Sequence, residues 1–176
     1  PQARRMVAEA DALSRLFRGR ENRIALELGV EGDIADSQIE TFLRMAHQGL
    51  PGLLLTLQEG CEGEGRLAVE EMCCEDELFL PLWEESYVMA LPVAHPMAAG
   101  GKDQPWAPIE DWITCPQHDS HQRLMALYGR SPQAVAGHAG SLTQALHMVA
   151  AGVGVAMLPQ SLAAERAGVV IRPWHL

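Results

Sequence analysis

The sequence predicts an α/β protein built as two strand–helix–strand lobes, in the manner of a clamshell. Three observations lead there. Between residues 23 and 60 a strand, an amphipathic helix and a second strand follow one another, which is the order of a parallel crossover. In GSLTQALHMVAAGVGVAMLPQ, residues 140–160, a capped helix runs into a short apolar strand. Between these units, Ala94 to Pro108 is rich in alanine, glycine and proline and reads as a boundary.

Taken in order, residues 1–18 form the first helix candidate. Met6, Ala10, Leu13 and Phe17 step by four, three and four, a coiled-coil-like seam that suits a partner chain. Ile24, Leu26, Leu28 and Val30 alternate with Ala25, Glu27 and Gly29 as a strand. The helix after Gly32 places Ile39, Phe42, Leu43 and Ala46 on one side. Asp33, Asp36 or Ser37 is available to cap it, and Ser37 with Glu40 has capping-box spacing. Leu53 to Gln58 is apolar enough to be a strand buried on both faces. Glu77–Trp83 and Tyr87–Pro92 read as strands, followed by a strand at Trp112–Cys115, a helix at Gln122–Tyr128 and a strand at Gln133–Ala136. Ser141 and Gln144 are spaced to cap the next helix, whose face is Leu142, Ala145, Leu146, Val149 and Ala150. Gly152 stops it, and Val153 to Leu158 is a buried strand. A small helix at Ser161–Ala167 and a strand at Val169–Ile171 close the chain.

Composition narrows the function classes. The chain has 176 residues, 48% hydrophobic and 20% charged, with a formal net charge of −10. That charge disfavours phosphate contacts, so this stretch is not read as a nucleic-acid surface. Six arginines precede residue 24 against three acids, whereas ten acids and one arginine lie between Gln58 and Tyr87. Apolar stretches break well short of a membrane span, and no membrane partner is expected. Cys61, Cys73, Cys74 and Cys115 form no disulfide framework, which with no visible signal peptide favours a reducing, cytoplasmic setting.

Four segments, in this order, are similar to a known family: RIALELGVEGDIADSQIETFLRMAHQGLPGLLLTLQEG (23–60), LPLWEESYVMALPVAHPMA (80–98), WITCPQ (112–117) and GSLTQALHMVAAGVGVAMLPQSLA (140–163). Together they resemble the effector-binding domain of LysR-type transcriptional regulators. The resemblance implies two Rossmann-like lobes in a periplasmic-binding-protein-like (type 2) fold. Residues 1–20 would be the end of a linker helix, 21–91 lobe I and 92–172 lobe II. The family's winged helix-turn-helix and the C-terminal return to lobe I are missing from the sequence, and GRLAVEE stands where a longer helix and strand are usual.

The same resemblance places a small-molecule effector between the lobes. Candidate contacts are Asp33, Cys61, Thr114, Cys115, Pro116, His138 and Ser141, at helix starts and strand ends. A carboxylate at Asp33, where the family often has Ser or Thr, would disfavour an acidic effector. The implied partners are that effector and a second copy, in a dimer or tetramer, with DNA bound only through the missing domain. No cofactor and no catalysis are expected. Cys115, His118 and His121 in CPQHDSH have a spacing tolerable for zinc or copper, but lack a fourth clustered ligand, so no metal is expected either. A thiol sensor using Cys61 and Cys115 is a further reading of the same residues. The rival assignments are a periplasmic solute-binding protein and a hydrolase. Cys115 or Ser141 beside a histidine supplies the residue types of a hydrolase, but no glycine-flanked nucleophile elbow is present.

Overall fold

The computed structural model describes residues 23–60, 63–68, 78, 80–99, 109, 111–124 and 135–173. The N-terminal helix candidate and Cys61 lie outside the described residues. The chain divides into two compact units: Pro1–Val30 with Glu40–Leu67, and Glu31–Ile39 with Ala68–Leu176. This differs from a division after residue 91, because Tyr87–Pro92 finds its strand partners in the second unit.

Strand β1 (Ile24–Val30) and strand β2 (Leu53–Glu59) belong to the first unit; helix α1 (Asp36–Gly49) comes between them in the chain, its residues up to Ile39 counting with the second unit. β2 lies parallel to β1, with Ile24 opposite Leu53 and Val30 opposite Glu59, as the crossover reading requires. Beyond Gly60, β3 (Gly65–Leu67) pairs in parallel with the other edge of β1. Gly52, at φ 98°, makes the turn out of α1 in a backbone conformation that L side chains rarely adopt. Two expectations need correction. β2 is not buried on both faces, since Leu54 and Leu57 are 51% and 45% exposed. Ser37 does not cap α1, because the helix begins one residue earlier, at Asp36.

The second unit is built around β4 (Tyr87–Pro92). After a 3₁₀ turn at Pro96–Ala99 come β5 (Trp112–Thr114), α2 (Asp119–Leu124), β6 (Val135–His138) and α3 (Leu142–Ala150). Then follow β7 (Ala156–Pro159), α4 (Gln160–Ala164) and β8 (Val169–Pro173). β4 is flanked by β7 and β8, both antiparallel to it. β5 pairs with β6 in parallel, and a single parallel bridge from Trp112 to Val155 ties that pair to the run entering β7.

The pleat of β4 explains its burial. Val88 and Ala90 join one apolar cluster with Leu142, Leu146 and Val149 of α3, while Met89 and Leu91 join another with Trp112, Val155 and Met157. Successive side chains point to opposite faces, so β4 is buried only because both faces are covered. Each such Leu, Val or Met contributes about 1.5–3 kcal/mol through burial. Gly152, at φ 80°, ends α3 as its spacing predicts, with its N–H donating to Val149 O at 2.9 Å.

Glu77–Trp83 is not a strand among its described residues: Leu78, Leu80 and Leu82 are 103%, 75% and 50% exposed. Pro81 offers no N–H to a ladder, and alternating leucines alone do not create a partner. β6 runs on to His138, two residues beyond the end its pattern suggests, and α2 begins three residues earlier than expected, at Asp119; residues 125–134 lie outside the described residues.

Candidate functional site

The start of α3 organises the polar chemistry of the second unit. Ser141 is its N-cap, at φ −149° and ψ 163°, and its Oγ accepts the Gln144 N–H at 3.1 Å. Gln144 reciprocates one residue further back than a capping box requires, its Oε1 accepting from Gly140 N–H at 2.9 Å. Ala145 N–H donates to Ser141 O at 3.0 Å. A helix start leaves its first amides without intrahelical partners, so Leu142 and Thr143 need an external acceptor.

Asp33 supplies it. Its Oδ2 accepts from Leu142 N–H at 3.0 Å and its Oδ1 from Thr143 N–H at 2.8 Å. Thr143 Oγ1 returns a bond to Gly32 O at 2.6 Å. Capping is thus Asp33's role, but for a helix more than a hundred residues away rather than for α1. The Glu31–Ile39 segment is fixed further by Ile34 and Ala35, which are 4% and 3% exposed. Gln38 Nε2 donates to Glu85 Oε1 at 3.1 Å, and Glu85 in turn accepts from Ser161 N–H at 2.7 Å and from Ser161 Oγ at 2.9 Å. Asp33 and Glu85 therefore do the same work at the starts of α3 and α4.

Beside this start lies the end of β5. Thr114 is 1% exposed, its Oγ1 shares a 2.8 Å hydrogen bond with His138 Nδ1, and its carbonyl accepts from Ala139 N–H at 2.8 Å. Cys115 is fully buried and its thiol donates to Ser141 O at 3.2 Å. Pro116 is exposed, and its carbonyl accepts from Gln122 Nε2 at 3.3 Å. The structure brings Asp33, Cys115 and Ser141 together around one helix start, with Thr114 and His138 paired next to it. The seventh candidate, Cys61, lies outside the described residues.

The two histidines of CPQHDSH have separate employments. His121 is fully buried; Nδ1 accepts from Cys115 N–H at 2.8 Å, which leaves the proton on Nε2 to donate to Met157 O at 2.8 Å. His118 Nδ1 accepts from Ser120 N–H at 3.3 Å and pairs with Ser120 Oγ at 2.8 Å, directing Nε2 to a point 3.8 Å from Asp33 Oδ2. Among the described residues no group of three or more His, Cys, Asp or Glu is arranged to hold a metal ion. Sequence reasoning named the cysteine–histidine spacing but missed His121's bond to β7, for which spacing carries no signal.

Burial dominates the electrostatics here. It pushes the Cys115 thiol up to about 12, with the Asp33 charge adding to the effect. It pushes the Tyr87 phenol up to about 12 as well, with Ser120 pulling the other way; among the described residues the Tyr87 hydroxyl is buried without a hydrogen-bond partner. His121 is lowered to about 4, again chiefly by burial, and so is neutral at pH 7.

Comparison with known proteins shows the family and the fold. Residues 74–176, more than half of the chain, match the family model of the LysR substrate binding domain, and the chain belongs to that family. It is similar to a probable hydrogen peroxide-inducible genes activator from Mycobacterium avium, 27% identical over 181 residues covering 92% of this chain. The chain spans 58% of that relative's length. Among solved structures it resembles the reduced form of the OxyR regulatory domain from Pseudomonas aeruginosa, with a TM-score of 0.65, 21% identity, and coverage of 87% of this chain and 83% of that one. It also resembles the effector binding domain of QuiR in complex with shikimate, with a TM-score of 0.64, 14% identity, and coverage of 87% and 81%. At these identities the likeness establishes the fold, the type 2 periplasmic-binding-protein-like fold of LysR regulatory domains.

Proposed function

We propose that this chain is the ligand-sensing part of a LysR-type transcription factor. A small molecule bound by it would change how DNA-binding domains elsewhere in the protein engage a promoter, through a dimer or tetramer in the cytoplasm. The observation that supports this most directly is the convergence of the α3 start and the β5 end at Asp33, Thr114, Cys115 and Ser141 in a chain of this family. A ligand drives such a switch only by binding its two states with different affinity. No helix of the described residues is long and apolar enough to cross a membrane.

Two other chemistries fit less well. The name of the Mycobacterium avium relative suggests peroxide sensing; the reactive form of a cysteine is its thiolate, and Cys115, the cysteine among the described residues, has its proton held by burial and by Ser141 O. Ser120, His118 and Asp33 stand in line like a nucleophile, base and carboxylate. Ser120, however, is 3% exposed and Asp33 is already occupied by two amides, so no substrate carbonyl reaches the serine. We assign no catalytic role.

The reading is tested by a thermal-shift screen of metabolites on the chain, followed by amide NMR of the hits. A hit should move the resonances of residues 114–117 and 138–143 and bind more weakly to Thr114→Val. A hit that moves neither set would refute the placement of the site.

A further inference from the structure

We propose that Asp33 determines the specificity of this site: it is an internal anion that occupies the anion seat at the α3 start, so that the effector brings a neutral or cationic group there, not a carboxylate or phosphate. This rests on the effector-binding reading above.

The argument begins with what an unoccupied helix start does. Free amides at its first turn and the positive end of the helix dipole attract anions. At α3 both amides that Ser141 leaves unserved, Leu142 and Thr143, already meet a carboxylate, one oxygen each at 3.0 and 2.8 Å. The Asp33 side chain is 11% exposed, and the chain carrying it is pinned by Thr143 Oγ1 donating to Gly32 O at 2.6 Å and by the buried Ile34 and Ala35. An incoming anion would have to displace a tethered group of the same charge that is already at hydrogen-bonding distance. His118 Nε2 lies 3.8 Å from Asp33 Oδ2, so it too faces this carboxylate.

The neighbouring helix repeats the device. The α4 start is filled by Glu85, which accepts from both the backbone and the hydroxyl of Ser161, and Gln38 links Glu85 to the Asp33 segment. With a net charge of −10 on the whole chain, long-range attraction does not favour anions either. A serine at position 33 would reverse the local chemistry: the amides would lose their charged acceptor, and His118 Nε2–H would become a third donor to whatever anion enters.

The test uses inorganic sulfate as the probe, on the 176-residue chain and on Asp33→Ser, read by the amide resonances of Leu142 and Thr143. Wild type should show no saturable shift at these amides. Asp33→Ser should gain saturable sulfate binding at these amides, together with a sulfate-dependent rise in Tm absent from wild type. Asp33→Asn keeps an acceptor oxygen at the helix start and loses only the charge, so it serves if the serine variant does not fold; its sulfate affinity should rise by less. Saturable sulfate binding by wild type at Leu142 and Thr143 would overturn the proposal, as would a folded Asp33→Ser chain with no gain. A metabolite screen in which nothing binds either chain would sink the effector-binding reading alone, because the sulfate comparison does not depend on knowing an effector.

Discussion

Replacing His121 by glutamine is expected to flatten the acid side of the stability profile. The imidazole is fully buried, and its pKa falls from 6.5 to about 4, mainly because burial penalises the charged ring. The Met157 carbonyl opposes that shift, His118 adds to it and Asp33 opposes it. Above pH 6.5 the ring is neutral in folded and unfolded chains alike and contributes no pH dependence. Between pH 6.5 and about 4 only the unfolded chain takes up the proton, so stability falls as the pH falls; below that both forms are charged and the loss is complete. At about 1.4 kcal/mol per pKa unit the loss amounts to about 3 kcal/mol. Glutamine supplies an oxygen to accept from Cys115 N–H and an N–H to donate to Met157 O, without titrating. Urea unfolding from about pH 7 to about pH 4 should therefore show wild type losing about 3 kcal/mol more than His121→Gln, the carboxylate titrations being common to both. Parallel profiles for the two chains would refute the reasoning.

Asp33→Ala should destabilise the chain by about 2–4 kcal/mol, since it strips two amides of their acceptor and removes a charge from the positive end of α3. Chemical denaturation reads this directly, and a loss under about 0.5 kcal/mol would show that water replaces the carboxylate at no cost. Cys115 should resist alkylation and peroxide at pH 7, with its peptide labelled about a hundredfold more slowly in the folded chain than in urea when followed by mass spectrometry. Labelling at equal rates would mean that its thiolate is present and reachable.

The crossover from Ile24 to Glu59 and the capped helix from Ser141 to Gly152 were legible in the sequence because each depends on signals within a few residues. Alternation set β1, a 3.6-residue period set the buried face of α3, and a glycine at φ 80° set its end. Burial was less legible. Leu53 to Gln58 has the composition of a doubly covered strand, yet β2 carries Leu54 and Leu57 half in solvent, because composition does not say what else packs there. The leucines at 78, 80 and 82 failed for the complementary reason: they have a strand's alternation but, among the described residues, no strand partner.

The sequence by itself determined the family, the local elements and the kinds of residue at the site: a carboxylate after β1, a thiol and histidines after β5, a hydroxyl cap before α3. Only the tertiary structure decided what each of them serves. Asp33 serves α3 and not the helix that follows it, Cys115 gives its proton to Ser141 O, and His121 spans from the β5 end to Met157. The physical reason is one of range. Caps and periods act over one turn of chain, whereas the partner of a buried polar group is whichever unsatisfied donor or acceptor the fold leaves within about 3 Å, at any separation in sequence.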